Sequence, residues 1–95
     1  MAAYVIFEVV VKNPEQYAQN RDLIQPTLEP YGGRFLVRGG HVECLEGTWN
    51  PSRLIVVEFP NLEGAKQWWA SDLYRPAKKV RQETTDTNMI LVAGI

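Results

Sequence analysis

Two stretches of the sequence carry the residues that can do chemistry. They are Arg34-Phe35-Leu36-Val37-Arg38-Gly39-Gly40-His41, and Ser71-Asp72-Leu73-Tyr74 with Arg81 beyond it. In the first, Arg34 and Arg38 flank three apolar residues, and their four-residue spacing puts both on one face of a regular strand. A guanidinium fork can grip an anion or carboxylate through two parallel hydrogen bonds. That carboxylate can also belong to the protein, and Glu58, in Val57-Glu58-Phe59, is the expected partner of Arg38 across a hairpin. Glu58 has a second reading. Lying against Glu8, it would share a proton near neutral pH and serve as acid or base. Spacing leaves open whether the two carboxylates meet. His41, the sole histidine, is either a proton shuttle or a surface residue. Ser71 reads as a helix cap or, given a base, as a nucleophile, although no Gly-x-Ser-x-Gly elbow surrounds it. Tyr74, Lys78 and Arg81 recur at helical spacing, a polar stripe that either faces a cleft or covers a sheet edge.

These residues define a candidate site. Arg38, Gly39, Gly40, Ser71, Tyr74 and Arg81 are its candidate ligand-binding residues, and Glu58, Tyr74 and His41 its candidate acids and bases. Arg38 would hold an anionic group, Tyr74 would donate a hydrogen bond, and Glu58 would orient Arg38 or take a proton. The site is expected between a helical layer and a sheet, near a bulge at Gly39-Gly40 that re-aims Arg38 and His41.

The elements that must position them follow from periodicity. Tyr4 to Val11 is rich in β-branched and aromatic residues and predicts a strand that is apolar on both faces, with Glu8 inside it. Asn13-Pro14 starts a helix carrying Tyr17, Arg21, Ile24 and Leu28, kinked near Gln25 by Pro26 and ended at Pro30. Gly32-Gly33 releases the chain into a second strand, with Phe35 and Val37 on one face and Arg34, Leu36 and Arg38 on the other. That strand is expected to run past the glycine pair, through Val42 and Cys44. A third strand, Arg53 to Phe59, returns after the turn at Gly47-Thr48-Trp49-Asn50-Pro51. Asn61 caps a helix with Leu62, Ala65, Trp68 and Trp69, of which one tryptophan belongs to the core. A further helical segment follows from Ser71 or Asp72, with Leu73, Ala77 and Val80 as its core stripe. Thr84 to Asn88 reads as a link, and Met89 to Ala93 as the last strand.

The order strand, helix, strand, strand, helix, strand is the split βαβ arrangement of an α+β, ferredoxin-like domain. Its four-stranded antiparallel sheet has helices on one face and the first and third strands in the centre. Apolar residues on both faces of those strands leave an uncovered face, and a second copy of the chain is the simplest cover.

Composition narrows the function classes. Ninety-five residues give a single domain with a modest core. A net charge of −1 with signs interspersed provides no basic stripe for nucleic acid. The longest apolar run is too short to span a membrane, and no basic segment precedes it as in a signal peptide. One cysteine, Cys44, permits no internal disulfide and fits a cytoplasmic protein. No Cys/His cluster has metal spacing, and the glycine pairs lack a dinucleotide fingerprint, so neither metal nor cofactor is expected.

Taken together, Tyr31-Gly32-Gly33-Arg34-Phe35-Leu36-Val37-Arg38-Gly39-Gly40, Leu45-Glu46-Gly47-Thr48-Trp49, Val57-Glu58-Phe59-Pro60 and Trp69-Ala70-Ser71-Asp72-Leu73-Tyr74 with Arg81 resemble domain-of-unknown-function family thirteen-thirty. That family belongs to the dimeric α+β barrel superfamily, and the resemblance spans nearly the whole chain. It implies a ferredoxin-like subunit whose sheet packs on its twin. It implies no particular reaction, because the superfamily includes cofactor-free monooxygenases, muconolactone-type isomerases and haem enzymes. Two functions follow from the residues. One is a pocket for a small acidic or aromatic metabolite. The other is a non-catalytic dimeric module in which the same arginines and carboxylates hold the architecture.

Overall fold

The computed structural model describes the whole chain except the side chains of Asn20 and Arg21, so Arg21 of the expected helix stripe lies outside the described residues. Four strands, β1 (Ala3–Val11), β2 (Arg34–Arg38), β3 (Leu54–Phe59) and β4 (Thr85–Ala93), form one antiparallel sheet in the order β2-β3-β1-β4. The helices are α1 (Pro14–Asn20), α2 (Gln25–Leu28), α3 (Leu62–Trp69) and α4 (Arg75–Thr84). Among the described residues, no helix is long and apolar enough to cross a membrane.

Local chemistry sets the boundaries. Asn13 Oδ1 accepts the Gln16 N–H at 3.1 Å, and Asn61 Oδ1 accepts the Gly64 N–H at 2.7 Å, so both asparagines cap as their positions predict. The break in the first helical segment falls earlier than Gln25. A 3-10 turn spans Arg21–Leu23, and α2 restarts with Pro26 in its first turn. A proline ring excludes the carbonyl four residues back, here that of Asp22, so the disturbance reaches upstream of the proline. β4 begins at Thr85, directly after α4, and absorbs the segment expected to be a link. Its polar residues find ladder partners on the end of β1, from Glu8↔Asn88 to Val11↔Thr85.

The sheet has two contrasting faces. Val5, Phe7 and Val9 of β1 and Ile55, Val57 and Phe59 of β3 are buried under the helices with Leu28, Ala65, Trp68, Tyr74 and Ala77. Trp68 is the core tryptophan. It stacks on Tyr74 with ring centroids 4.0 Å apart and donates its indole N–H to Thr27 Oγ1 at 3.0 Å. That stacking turns Tyr74 inward, so the buried stripe of this segment runs Tyr74–Ala77, and Leu73 points out, half exposed. On the opposite face, Tyr4, Ile6, Glu8 and Val10 alternate with the buried set and meet Glu58, Val56 and Leu54 on one side and Val92, Ile90, Asn88 and Asp86 on the other. No helix covers this face.

The β-bulge lies in β2, between Phe35 and Val37, rather than at Gly39-Gly40. Phe35 pairs with Val57, Val37 with Val56 and Arg38 with Ile55. The extra residue, Leu36, therefore reverses the alternation, and Arg38 joins Phe35 on the helical side of the sheet. Gly39 ends the strand with φ +72°, its N–H donating to Leu54 O at 2.9 Å. Residues 39–53, including Val42 and Cys44, hold no regular structure.

Candidate functional site

The reversal at Leu36 brings Arg38 to a small cavity of about 50 Å³ between the sheet and the helices. Phe7, Val9, Phe35 and Ile55 supply its sheet wall; Tyr17, Ile24, Ala77 and Val80 close it from the helices. Four polar side chains complete it: Arg38 from β2, Arg53 just before β3, and Tyr74 and Arg81 at either end of α4. A wider groove of about 800 Å³ runs along β4, but of the candidate residues only Arg81 borders it.

Each polar group has a distinct environment. The Arg38 guanidinium lies over the Phe35 ring, 4.6 Å from its centroid, and bonds Asp22 Oδ1 at 2.8 Å and Gln25 Oε1 at 3.4 Å. Arg81 Nε donates to the Tyr74 hydroxyl at 3.2 Å. Burial pushes the Tyr74 phenol pKa above its ordinary value, and the nearby Arg81 charge and hydrogen bond oppose that rise without cancelling it. Tyr74 is thus a neutral phenol at physiological pH. It accepts from Arg81, so its own proton remains for another acceptor.

Arg53 is the residue that sequence reasoning missed. Its carbonyl accepts the Val9 N–H at 2.9 Å, which ties its backbone to the central strand. Its Nε is closed off from solvent and has no hydrogen-bond partner among the described residues. The signal was present: at a period of two, Arg53 shares its face with Ile55, Val57 and Phe59, the buried set.

The other candidates lie elsewhere. The expected Arg38–Glu58 pair does not form, because the bulge sends the two residues to opposite faces. Glu58 is on the open face, where Arg34 Nε and Nη2 both bond its Oε1 at 2.8 Å. Glu8 shares that face but sits opposite Leu54 while Glu58 sits opposite Tyr4. Four residues along a strand separate carboxylates by about 13 Å, so they form no proton-sharing pair. His41 is exposed in the loop, 3.8 Å from Glu43. Gly40 contacts nothing that a side chain there would meet. Ser71 Oγ donates to Trp68 O at 2.7 Å and accepts the Tyr74 N–H at 3.1 Å, a capping geometry that leads into α4. Lys78 leaves the Tyr74–Arg81 stripe for Trp69, whose carbonyl it bonds at 2.9 Å. Neither a carboxylate nor a histidine lines the cavity among the described residues, and no group of three potential metal ligands occurs among them.

A four-stranded antiparallel sheet with its helices on one face is a ferredoxin-like α+β fold. Residues 2–95 match the family described as Domain of unknown function (DUF1330), and the chain belongs to that family. Solved structures of the same fold include a protein of unknown function from Rhodopseudomonas palustris, with TM-score 0.78, 20% identity, and coverage of 99% of this chain and 82% of that one. A dimeric ferredoxin-like protein of unknown function from Thermobifida fusca has TM-score 0.66 and 15% identity over 99% of this chain and 92% of its own. SnoaB from Streptomyces nogalater, a cofactor-independent oxygenase, has TM-score 0.68 over 99% of this chain and 93% of its own, at 8% identity. At these identities the likeness concerns the fold. No curated protein matches the sequence.

Proposed function

We propose that the protein is a homodimer joined through the open sheet face, and that each subunit binds a small molecule bearing an acidic group in the cavity beneath α4. One observation carries the pocket reading. Three guanidinium groups and a neutral phenol line one cavity, and Asp22 is the one carboxylate paired with any of them among the described residues. Cations beside an apolar wall lose hydration, and an anion of suitable size restores the balance. The aromatic and aliphatic wall suits an apolar body attached to that acid. Binding, rather than proton transfer, is the function this set supports, because Glu58 and His41 stand outside the cavity.

The dimer reading rests on Ile6, Val56, Ile90 and Val92, an apolar patch across three strands on the face opposite the helices, with Ile90 and Val92 exposed. Trp49 Nε1 donates to Glu8 Oε2 at 3.2 Å, which draws the long loop to the rim of this face with Trp49 still 64% exposed. The dimeric state of the Thermobifida fusca structure points the same way.

The test pairs light scattering with a thermal-shift screen of small organic acids. A dimer at micromolar concentration, stabilised by one or more acids and not by their amides, is the expected result. Arg38→Met should keep the fold and weaken that response. The second reading, a non-catalytic dimeric module, is favoured by the Arg38–Asp22 pair. It prevails if no acid shifts the transition and Arg38→Met acts on stability alone.

A further inference from the structure

We infer that the pocket is a carboxylate site whose principal donor is Arg53, and that Gly39 is the positioning residue that lets it be so. The inference rests on the pocket reading above and names its ligand class.

The three cations of the cavity are not equivalent. Arg38 already has Asp22 at 2.8 Å, and Arg81 has the Tyr74 hydroxyl at 3.2 Å. Arg53 has no acceptor among the described residues, and its Nε–H is shut away from water. A buried N–H left without an acceptor is costly even where the rest of its guanidinium reaches water, and here Val9 and Ile55 line the same cavity. An anion seated against Arg53 removes that cost, and the same low-dielectric surroundings strengthen the contact.

Gly39 is a glycine for two reasons. Its φ of +72° is strained for any other L-residue. Its missing side chain also leaves the space that the Arg53 guanidinium occupies: a Cβ there would stand 2.6 Å from Arg53 Cζ and 3.1 Å from Nη2. The guanidinium thus lies against the strand end beside the cavity. Gly40 has no such neighbour within 4 Å, so one glycine of the pair positions the arginine and the other does not.

Size selects the ligand. The cavity, about 50 Å³, is a third of the roughly 150 Å³ that holds a benzene molecule. It accepts a carboxylate head and the first atoms of an apolar body, so a larger ligand extends beyond it. A planar carboxylate also matches a guanidinium edge in geometry.

The experiment is titration of the full-length protein with acetate, benzoate and neutral benzamide, followed by amide chemical shifts. Arg53→Met, Arg53→Lys, Gly39→Ala and Gly40→Ala are compared with the wild type, and melting curves confirm that each is folded. Benzoate should bind the wild type more tightly than benzamide. Arg53→Met should weaken it roughly 10- to 100-fold, the scale of a charge-assisted hydrogen bond. Arg53→Lys should restore part of the loss. Gly39→Ala should bind as poorly as Arg53→Met although it keeps the arginine, and Gly40→Ala should bind as the wild type does. Benzoate affinity within about twofold of wild type in Arg53→Met, with benzamide still weaker, overturns the role of Arg53 and leaves the pocket reading standing, whereas benzamide binding equal to benzoate overturns both. No shift at any cavity residue with any of the three probes overturns both.

Discussion

The two faces of the sheet are built from the same strands and are similarly rich in aliphatic side chains, yet they treat charge in opposite ways. On the open face, charges come in matched sets. Arg34 bonds Glu58 at 2.8 Å, Lys12 lies 3.3 Å from Asp86 at the rim, and Glu8 takes the Trp49 indole N–H. On the covered face, three arginines meet one cavity, Asp22 pairs with Arg38 alone, and no carboxylate lines the cavity among the described residues. A face that will be desolvated by a protein partner gains from having its charges neutralised in advance, because unpaired charge at an interface core is expensive. A face that holds a small anion gains from the reverse. On the proposed function, this asymmetry would separate an assembly surface from a binding surface within one sheet.

The largest effects test the two faces directly. Trp68→Ala, on the covered side, removes the fully buried indole that links Thr27, Phe59 and Tyr74. We expect a loss of about 3–5 kcal/mol in chemical denaturation. Ile6→Glu, on the open side between Val56 and Ile90, should instead halve the mass seen by light scattering and lower the melting temperature in a concentration-dependent way. If Ile6→Glu stays dimeric, the open face is not the assembly surface.

The next effect separates the two glycines. Gly39→Ala should destabilise by about 1–3 kcal/mol from the backbone conformation, with the Arg53 guanidinium displaced by the new Cβ. Gly40→Ala, with no positive φ and no neighbour to strike, should stay within about 0.5 kcal/mol. Equal losses at the two positions would mean that the strand end, and with it the Arg53 shelf, is held by something other than Gly39.

The contrast between the faces was partly legible in the sequence. Two-residue alternation in Tyr4 to Val11 and Leu54 to Phe59 specifies which residues share a face, and the order of elements specifies the sheet. What could not be read was the parity of β2. A bulge shifts alternation by one residue, and this one sits at Leu36, with no glycine to mark it, while Gly39-Gly40 carries the composition of a bulge and ends the strand instead. That shift moved Arg38 to the cavity and separated it from Glu58. Tyr74 and Leu73 exchanged roles for a different reason: the stacking partner, Trp68, comes from another helix, and helical period alone does not select between adjacent candidate stripes. Arg53 needed no structure to place it on the buried face, only the same alternation applied one residue before the apolar run.

A smaller effect reads the cavity through pH. The Tyr74 pKa is raised by burial, whereas a tyrosine in the unfolded chain titrates near pH 10. The unfolded state therefore gives up its proton first. The contribution of the neutral phenol is complete below about pH 10 and is lost as the pH climbs from there towards the folded value. Melting temperature should fall on that alkaline limb in the wild type, and less steeply in Tyr74→Phe. An identical slope in both proteins would show that Tyr74 ionises as freely as an exposed tyrosine.

The smallest expected effect concerns the Arg34–Glu58 pair, and it bears most directly on the purpose of the open face. The Arg34 side chain is 70% exposed in the subunit and that of Glu58 is 22% exposed. A pair so accessible should couple by about 0.2–1 kcal/mol in a double-mutant cycle of Arg34→Met and Glu58→Gln, and salt should weaken that coupling. The same cycle measured on the associated protein has a different expectation. Burial of the face withdraws water from both groups, so each single variant leaves a partner charge stranded in the interface, and the coupling should exceed its value in the Ile6→Glu background, where association is lost. Salt dependence should shrink at the same time, because ions no longer reach the pair. Coupling that is small and salt-sensitive in both backgrounds would place Arg34 and Glu58 on free surface and confine the assembly contact to Ile6, Val56, Ile90 and their neighbours.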